Sequence, residues 1–459
     1  MPLTRTVPFP KNRLDEMLAR EQAAFAAARP RSAALARAAA SHWLGGVPMH
    51  WMLDWGTAFP VSVVAAQGAE LVDADGLRYA DFCLGDTGAM YGHSPPPVAT
   101  ALAEQSARGL TCMLPSQDVP AVGALLTERF GLPYWQLTQT ATDANRAVLR
   151  WSRELTDRAM IIVFDGCYHG AVDDTLVDAT PAGAQPRPGL VGQVVDFARH
   201  VRAIDFNDRD ALEQALAPGD VACVLAEPVM TNAGMVLPQP GYLEHLRRLT
   251  LRYGTYLVID ETHTLSSGPG GHARMCGLEA DFLVVGKAIA GGFPCAVYGC
   301  KAAIAARIEQ VFATKPPGNS GLGTTLAGNP LALAALRANL TEVMTESAYE
   351  HMVAMAERLR EGLEGLLAQH ALDWHVSGVG ARSELGFTKV VPRTARESLA
   401  ASDPGLERLI HLYLLNRGVL LTPFHNMMLT SPATAPADVD GLLDALDRCF
   451  GELCAPRST

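Results

Sequence analysis

From about residue 120 onward, short uninterrupted apolar runs alternate with stretches in which apolar positions recur at helical spacing. The runs Tyr134–Thr138, Met160–Phe164, Val221–Ala226, 256–259 and Phe282–Val285 read as strands, and 144–155, 208–216 and 241–253 read as the helices between them. Near-continuous apolar character is expected of strands buried on both faces. Strands that recur with intervening helices imply an α/β fold, a mostly parallel sheet with helices on both sides.

The flanking regions follow other patterns. Residues 12–40 are rich in Ala, with Arg13, Arg20, Arg29, Arg31 and Arg37, and read as an amphipathic helical segment that packs on the body or on a partner subunit. Asp15, Glu16 and Glu21 speak against a transit peptide, because transit peptides are poor in acids. Residues 180–188 read as a Pro- and Ala-rich loop, and 314–329 as a Gly- and Pro-rich break. Beyond it come a long helical pattern over 330–370, strand-like runs at 374–377 and 384–391, a helix over 403–417 and a strand-like run at 418–422. The expected division is an N-terminal segment over 1–60, a large domain over 61–330 and a smaller C-terminal α/β domain over 331–459.

Composition narrows the classes. Apolar residues make up 49% of the 459-residue chain and charged residues 19%, enough for a sizeable core and too apolar for a disordered protein. A net charge of −11 argues against a nucleic-acid or anionic-membrane partner. No stretch approaches the roughly 20 apolar residues of a membrane span, and the N-terminus has no secretory apolar region. The nine cysteines are scattered, with no C-x-x-C pair, so neither a disulfide framework nor a cysteine-held metal is expected, and a cytoplasmic location is.

Several chemistries drop out on motifs. The one Gly-Lys pair, Gly286-Lys287, has Asp281 and Ala288 where a phosphate-binding loop needs Gly and Ser/Thr, and no H-E-x-x-H, G-x-S-x-G or G-x-G-x-x-G occurs. What remains is a set of polar residues just past each strand, where open α/β sheets bind ligands: 140–145, 165–169, Glu227-Pro228, 260–263 and Gly286-Lys287. A lysine leaving a buried strand end is short of solvent, which favours the nucleophilic free amine, although a surface lysine at a loop start has the same local signature. Asp260 at another strand end needs a cationic partner; a pyridinium N–H supplies one, as does an ordinary ion pair. Thr140-Ala141-Thr142-Asp143 opens a helix as either an anion cup or a plain capping box. Tyr168, beside His169, is an aromatic that stacks on a planar ring or packs in the core.

Taken together, these residues resemble the class III, fold type I family of pyridoxal-phosphate aminotransferases, in particular the branch of glutamate-1-semialdehyde aminomutase and the β-amino-acid aminotransferases. The matching motifs are Tyr91-Gly92-His93-Ser94, Thr140-Ala141-Thr142-Asp143-Ala144-Asn145, Phe164-Asp165-Gly166-Cys167-Tyr168-His169-Gly170, Glu227-Pro228, Asp260-Glu261, Gly286-Lys287 with Gly291-Gly292, and Thr325-Leu326-Ala327-Gly328-Asn329-Pro330. The resemblance implies a pyridoxal 5′-phosphate cofactor joined to Lys287 as a Schiff base, with Asp260 on the pyridine nitrogen. It further implies Ala141 and Thr142 at the phosphate, Tyr168 on the ring, His169 and Glu227 lining the site, and Thr325 reaching the phosphate across a homodimer with shared active sites.

The chain also departs from the family. Thr140-Ala141-Thr142 stands where Ser-Gly-Thr is usual, Thr262 replaces a branched apolar residue, and His263 beside it is unusual. In the related enzymes an arginine before the first strand captures a carboxylate, yet residues 41–60 contain neither Arg nor Lys and offer Trp43, His50, Trp51 and Trp55 instead. With His263, these are candidate substrate contacts, and Arg382 is the candidate for the carboxylate of a keto-acid acceptor. The expected activity is transfer of an amino group from a bulky or apolar amine or amino acid to a keto acid. An aminomutase or epimerase on the same cofactor is the alternative, and a non-catalytic binding protein a remote one.

Overall fold

The computed structural model describes residue 9, residues 11–316 and residues 320–455, and within these the chain divides into two compact units. One comprises residues 96–346 and 392–399; the other comprises 1–95, 347–391 and 400–459. Residues 61–95 were expected in the large domain, but they fold with the C-terminal part. The reason is strand pairing: Val63–Gln67, Glu70–Asp73 and Arg78–Asp81 form an antiparallel meander, and Arg78–Asp81 pairs in parallel with Val419–Leu420.

The 96–346 unit is built on a seven-stranded sheet. Its strands are β1 (Tyr134–Thr138), β2 (Met160–Phe164), β3 (Val201–Ile204), β4 (Val221–Ala226), β5 (Tyr256–Asp260), β6 (Phe282–Val285) and β7 (Ala296–Cys300), in the spatial order β1-β7-β6-β5-β4-β2-β3. All neighbours pair in parallel except β7, which runs antiparallel to both β6 and β1. Every residue of β4, β6 and β7 is buried, which is what their unbroken apolar sequence requires. The five strands expected from the apolar runs are all present; β3 and β7 add to them. Residues 180–188, expected as a loop, contribute to a hairpin of Val177–Thr180 and Gly183–Pro186. Pro181 and Ala182 make the turn, and the left-handed φ of +108° at Gly183 lets the chain reverse.

The helix Ala141–Thr156 shows how local sequence positions a site. Its N-cap Thr140 accepts a hydrogen bond from the Asp143 N–H, and Ala144, Ala147, Val148, Trp151 and Leu155 form its buried face. The expected helix over 330–370 is interrupted: Pro330–Ala338 ends in a π-turn over Asn339–Val343, and a new helix runs over Glu346–Gln369.

In the other unit the N-terminal helices Lys11–Ala28 and Pro30–Ala39 do pack on the body. Phe25 is buried against Tyr79, Leu412 and Leu415, and the buried Arg29 donates to Tyr79 Oη, Asn416 Oδ1 and the Leu415 carbonyl. The helices Glu346–Gln369, Pro404–Leu415 and Pro436–Cys454 close a core around Leu363, Leu409 and Phe450. No helix among the described residues is long and apolar enough to cross a membrane, and no group of His, Cys, Asp and Glu among them is arranged to hold a metal.

Candidate active site

The carboxyl ends of the parallel strands bring the chemistry together. Asp260, the last residue of β5, is 3% exposed; its Oδ2 accepts from Asn145 Nδ2 at 2.8 Å and lies 3.0 Å from His169 Nδ1, while Oδ1 accepts from the Thr262 N–H at 3.0 Å. Asn145 also donates to the His169 carbonyl at 3.1 Å, tying the helix after β1 to the loop after β2. Burial raises the pKa of Asp260, but the hydrogen bond and charge of His169, with Thr262 and Asn145, outweigh it, so the carboxyl is held below its ordinary range. Burial likewise opposes charge on His169, and Cys167 and Asp260 beside it overcome that and raise its pKa. The result is a carboxylate kept ionised at the floor of the site.

Lys287 opens the turn after β6 with an unusual left-handed φ of +48°, and its Nζ lies 2.9 Å from Nε2 of the buried His263. Gly286 immediately before it abuts the helix N-terminus: a Cβ there would stand 2.8 Å from the Ala141 Cβ. On the far side of the same helix end, the Ala171 N–H donates to Thr142 Oγ1 at 3.1 Å, and a Cβ on Gly170 would run into that hydroxyl. The first turn of the helix is therefore packed closely between two glycines, at positions where a side chain has no room. Glu227, at the end of β4, is buried and accepts from Thr231 Oγ1 at 2.5 Å and from Asn232 Nδ2 at 3.3 Å. Its pKa is raised, mainly by burial. Tyr168 is 45% exposed, which removes it from the core.

Other candidates lie elsewhere. Thr325 is exposed on the rim of a groove of about 950 Å³ lined by Met113, Leu114, Thr127 and Trp135, and its neighbour Thr324 donates to Gln139 Oε1 at 2.8 Å. Trp43, His50, Trp51, Trp55 and Arg382 belong to the other unit. There Trp43, His50 and Trp51 are exposed, while Trp55 packs edge-on against His411 with ring centroids 5.8 Å apart. Trp51 and Trp55 line an apolar cavity of about 280 Å³ with Met52, Leu71 and Tyr79. Arg382 is 1% exposed, its Nη2 donating to Thr87 Oγ1 at 2.6 Å.

Two site residues were not singled out as such by sequence reasoning. Asn145 was visible only as part of a motif, and its bond to Asp260 needs the sheet in place. Asn339, in the π-turn, donates to the carbonyls of Ala288 and Ile289 at 3.1 and 2.8 Å and so fixes the turn that carries Lys287. A single Asn in a helical pattern carries no local signal for that role.

A mostly parallel sheet whose strand ends gather a lysine, an ionised buried carboxylate and an open helix N-terminus is the layout of a fold type I pyridoxal-phosphate enzyme. The chain belongs to the class-III aminotransferase family, whose model, "Aminotransferase class-III", matches residues 52–450. It is 33% identical over 403 residues to a glutamate-1-semialdehyde 2,1-aminomutase of Syntrophomonas wolfei, covering 85% of this chain and 90% of that protein. The crystal structure of a glutamate-1-semialdehyde-aminomutase from Pseudomonas aeruginosa PAO1 is 50% identical and superimposes with a TM-score of 0.94, over 97% of this chain and 99% of that one. A lysine-to-alanine form of that protein, in complex with PMP, matches equally well. A β-phenylalanine aminotransferase from Variovorax paradoxus is 29% identical with a TM-score of 0.85, covering 95% and 97% of the two chains.

Pyridoxal phosphate is accordingly the cofactor, and the residues present fit it. An ionised, buried carboxylate suits a protonated pyridine nitrogen, and the N–H groups at the positive end of a 16-residue helix suit a phosphate. The buried Thr262 Oγ1, which makes no hydrogen bond among the described residues, is a further polar atom that such a group can satisfy.

Proposed function

We propose that this enzyme moves an amino group within a single amino-aldehyde or amino-acid substrate, as an aminomutase of the glutamate-1-semialdehyde type. The observation that carries this reading is the 50% identity to a glutamate-1-semialdehyde-aminomutase over nearly the whole chain, on a site with its lysine and carboxylate in place. It moves the weight from intermolecular transamination, the activity favoured on sequence, to the alternative. A second reading, an aminotransferase with a bulky or apolar donor, is supported by the absence of Arg and Lys from residues 41–60, by the tryptophans there, and by the likeness to a β-phenylalanine aminotransferase.

When bound, pyridoxal phosphate supplies a carbonyl for amine exchange and a ring that takes up the electron pair freed at the substrate carbon. In this reading Asp260 holds a proton at the pyridine nitrogen, and Asn145 and His169 hold Asp260. Ala141 and Thr142 present N–H groups and a hydroxyl to the phosphate. Tyr168 covers the ring, Glu227 bounds the site, and Thr325 completes the phosphate site of a second subunit in a homodimer. Lys287 Nζ would be the amine that holds the cofactor's carbonyl carbon and, when free of it, the base that would move a proton at the substrate carbon.

One experiment separates the two readings. The purified enzyme is given a single amino compound without keto acid, starting with glutamate-1-semialdehyde and then a panel of amines, and product is followed. An aminomutase turns over repeatedly. A transaminase stops after one equivalent and resumes on addition of a keto acid, and that result would replace the first reading by the second.

A further inference from the structure

His263 stands where the chain departs from its family's pattern, and the sheet explains what it meets. Strands β5 and β6 run parallel with Asp260 opposite Val284. Three residues beyond that pair in each segment, past the ends of both strands, come His263 and Lys287, and the two neighbouring turns bring their side chains together. Nζ and Nε2 are 2.9 Å apart, and His263 is 5% exposed. At that distance one nitrogen donates and the other accepts. With Lys287 as ammonium, Nζ donates, Nε2 accepts, and the imidazole is the neutral tautomer with its proton on Nδ1.

The lysine is constrained from its other end as well. Asn339 holds the carbonyls of Ala288 and Ile289, and Lys287 itself keeps a left-handed backbone that is strained for a residue with a Cβ. Such strain persists only where the surroundings over-determine it. The backbone is aimed, and the imidazole receives the head group.

We infer that His263 is a positioning residue for Lys287: its Nε2 accepts a hydrogen bond from Nζ whenever that nitrogen is not joined to the cofactor, and so parks the amine where it recaptures the cofactor carbonyl. The inference rests on the assignment of Lys287 made above and adds to it a specific partner. It concerns the geometry of the free lysine, not the affinity for the cofactor.

The test uses full-length chain stripped of cofactor. Pyridoxal phosphate is added and the rise of the visible band of the lysine-bound cofactor is followed by stopped flow, while the affinity for pyridoxamine phosphate, which cannot condense with lysine, is measured separately. His263→Leu should slow capture about tenfold, the scale of one lost hydrogen bond that orients a nucleophile, with pyridoxamine phosphate affinity within about twofold of wild type. His263→Gln, whose carbonyl can accept from the same Nζ, should capture within about threefold of wild type. Capture by His263→Leu at the wild-type rate overturns the inference, as does an equal fall in pyridoxamine phosphate affinity, which marks a merely structural role, or a Gln variant as slow as Leu. Lys287→Ala, run alongside, should fix no cofactor on borohydride reduction; if it does, the assignment of Lys287 fails and this inference with it.

Discussion

At the end of β5 two adjacent carboxylates, Asp260 and Glu261, are both buried, at 3% and 0% exposure, yet they face different surroundings. Alternation along the strand sends them to opposite sides. Asp260 turns toward His169, Asn145 and the Thr262 N–H, and its pKa is lowered. Glu261 is paired with no cation among the described residues: it accepts from Thr264 Oγ1 and from the N–H groups of His272 and Ala273, and burial, which these bonds only partly offset, pushes it up to about 7. One carboxylate is kept charged, as the proposed function requires of it, while the other clamps the start of the short helix Gly271–Met275. Equal burial thus produces different functions because the nearest donors differ in charge.

The comparison breaks most visibly if chemistry is not confined to the Asp260 side. Lys287→Ala should abolish the visible absorbance of the bound cofactor and essentially all turnover while circular dichroism stays native; near wild-type turnover would dismantle the reading of the site. Asp260→Ala should retain the fold and lose at least about 10²-fold in kcat, the lower end for removing one electrostatic contribution to a transition state. Unchanged steady-state kinetics would move the electron sink elsewhere. Asn145→Ala leaves Asp260 with one donor fewer, and a hydrogen bond to a charged group contributes about 1.5–3 kcal/mol; kcat should fall roughly tenfold, less than for Asp260→Ala.

Glu261→Gln sharpens the other half. Its kcat should stay within about threefold of wild type, since Glu261 supports backbone rather than ligand. The pH dependence of stability carries the signal. With the folded pKa near 7 and the ordinary value at 4.5, the penalty for ionising Glu261 is absent below about 4.5 and complete above about 7. Wild type should therefore lose stability relative to the Gln variant as pH rises through that window, by up to about 3 kcal/mol on conversion of the pKa difference. Parallel melting curves for the two proteins across pH 4 to 8 would show that Glu261 is not strained by its surroundings.

Much of this was legible along the chain because it is written locally. An unbroken apolar run marks a strand buried on both faces, so β2, β4, β5 and β6 could be read directly, and with them the strand ends that hold Asp260 and Lys287, whereas β1, with Gln136 in its middle and Tyr134 exposed, is a strand covered on one side only. The Thr140 cap and the apolar face of its helix are likewise short-range signals. These determined the α/β class and the principal candidates, and the resemblance of the motifs around them to a known family implied the cofactor. The tertiary structure decided what depends on pairing between distant segments. It set the antiparallel insertion of β7, the joining of residues 63–81 to Val419–Leu420, the reach of Asn339 to the Lys287 turn, and the adjacent turns that set His263 against Lys287. Periodicity records which faces of an element avoid water, but not which other element covers them. A hydrogen bond between residues far apart in sequence forms only after the intervening chain has closed on itself, so its partners leave no mark in the pattern of either segment.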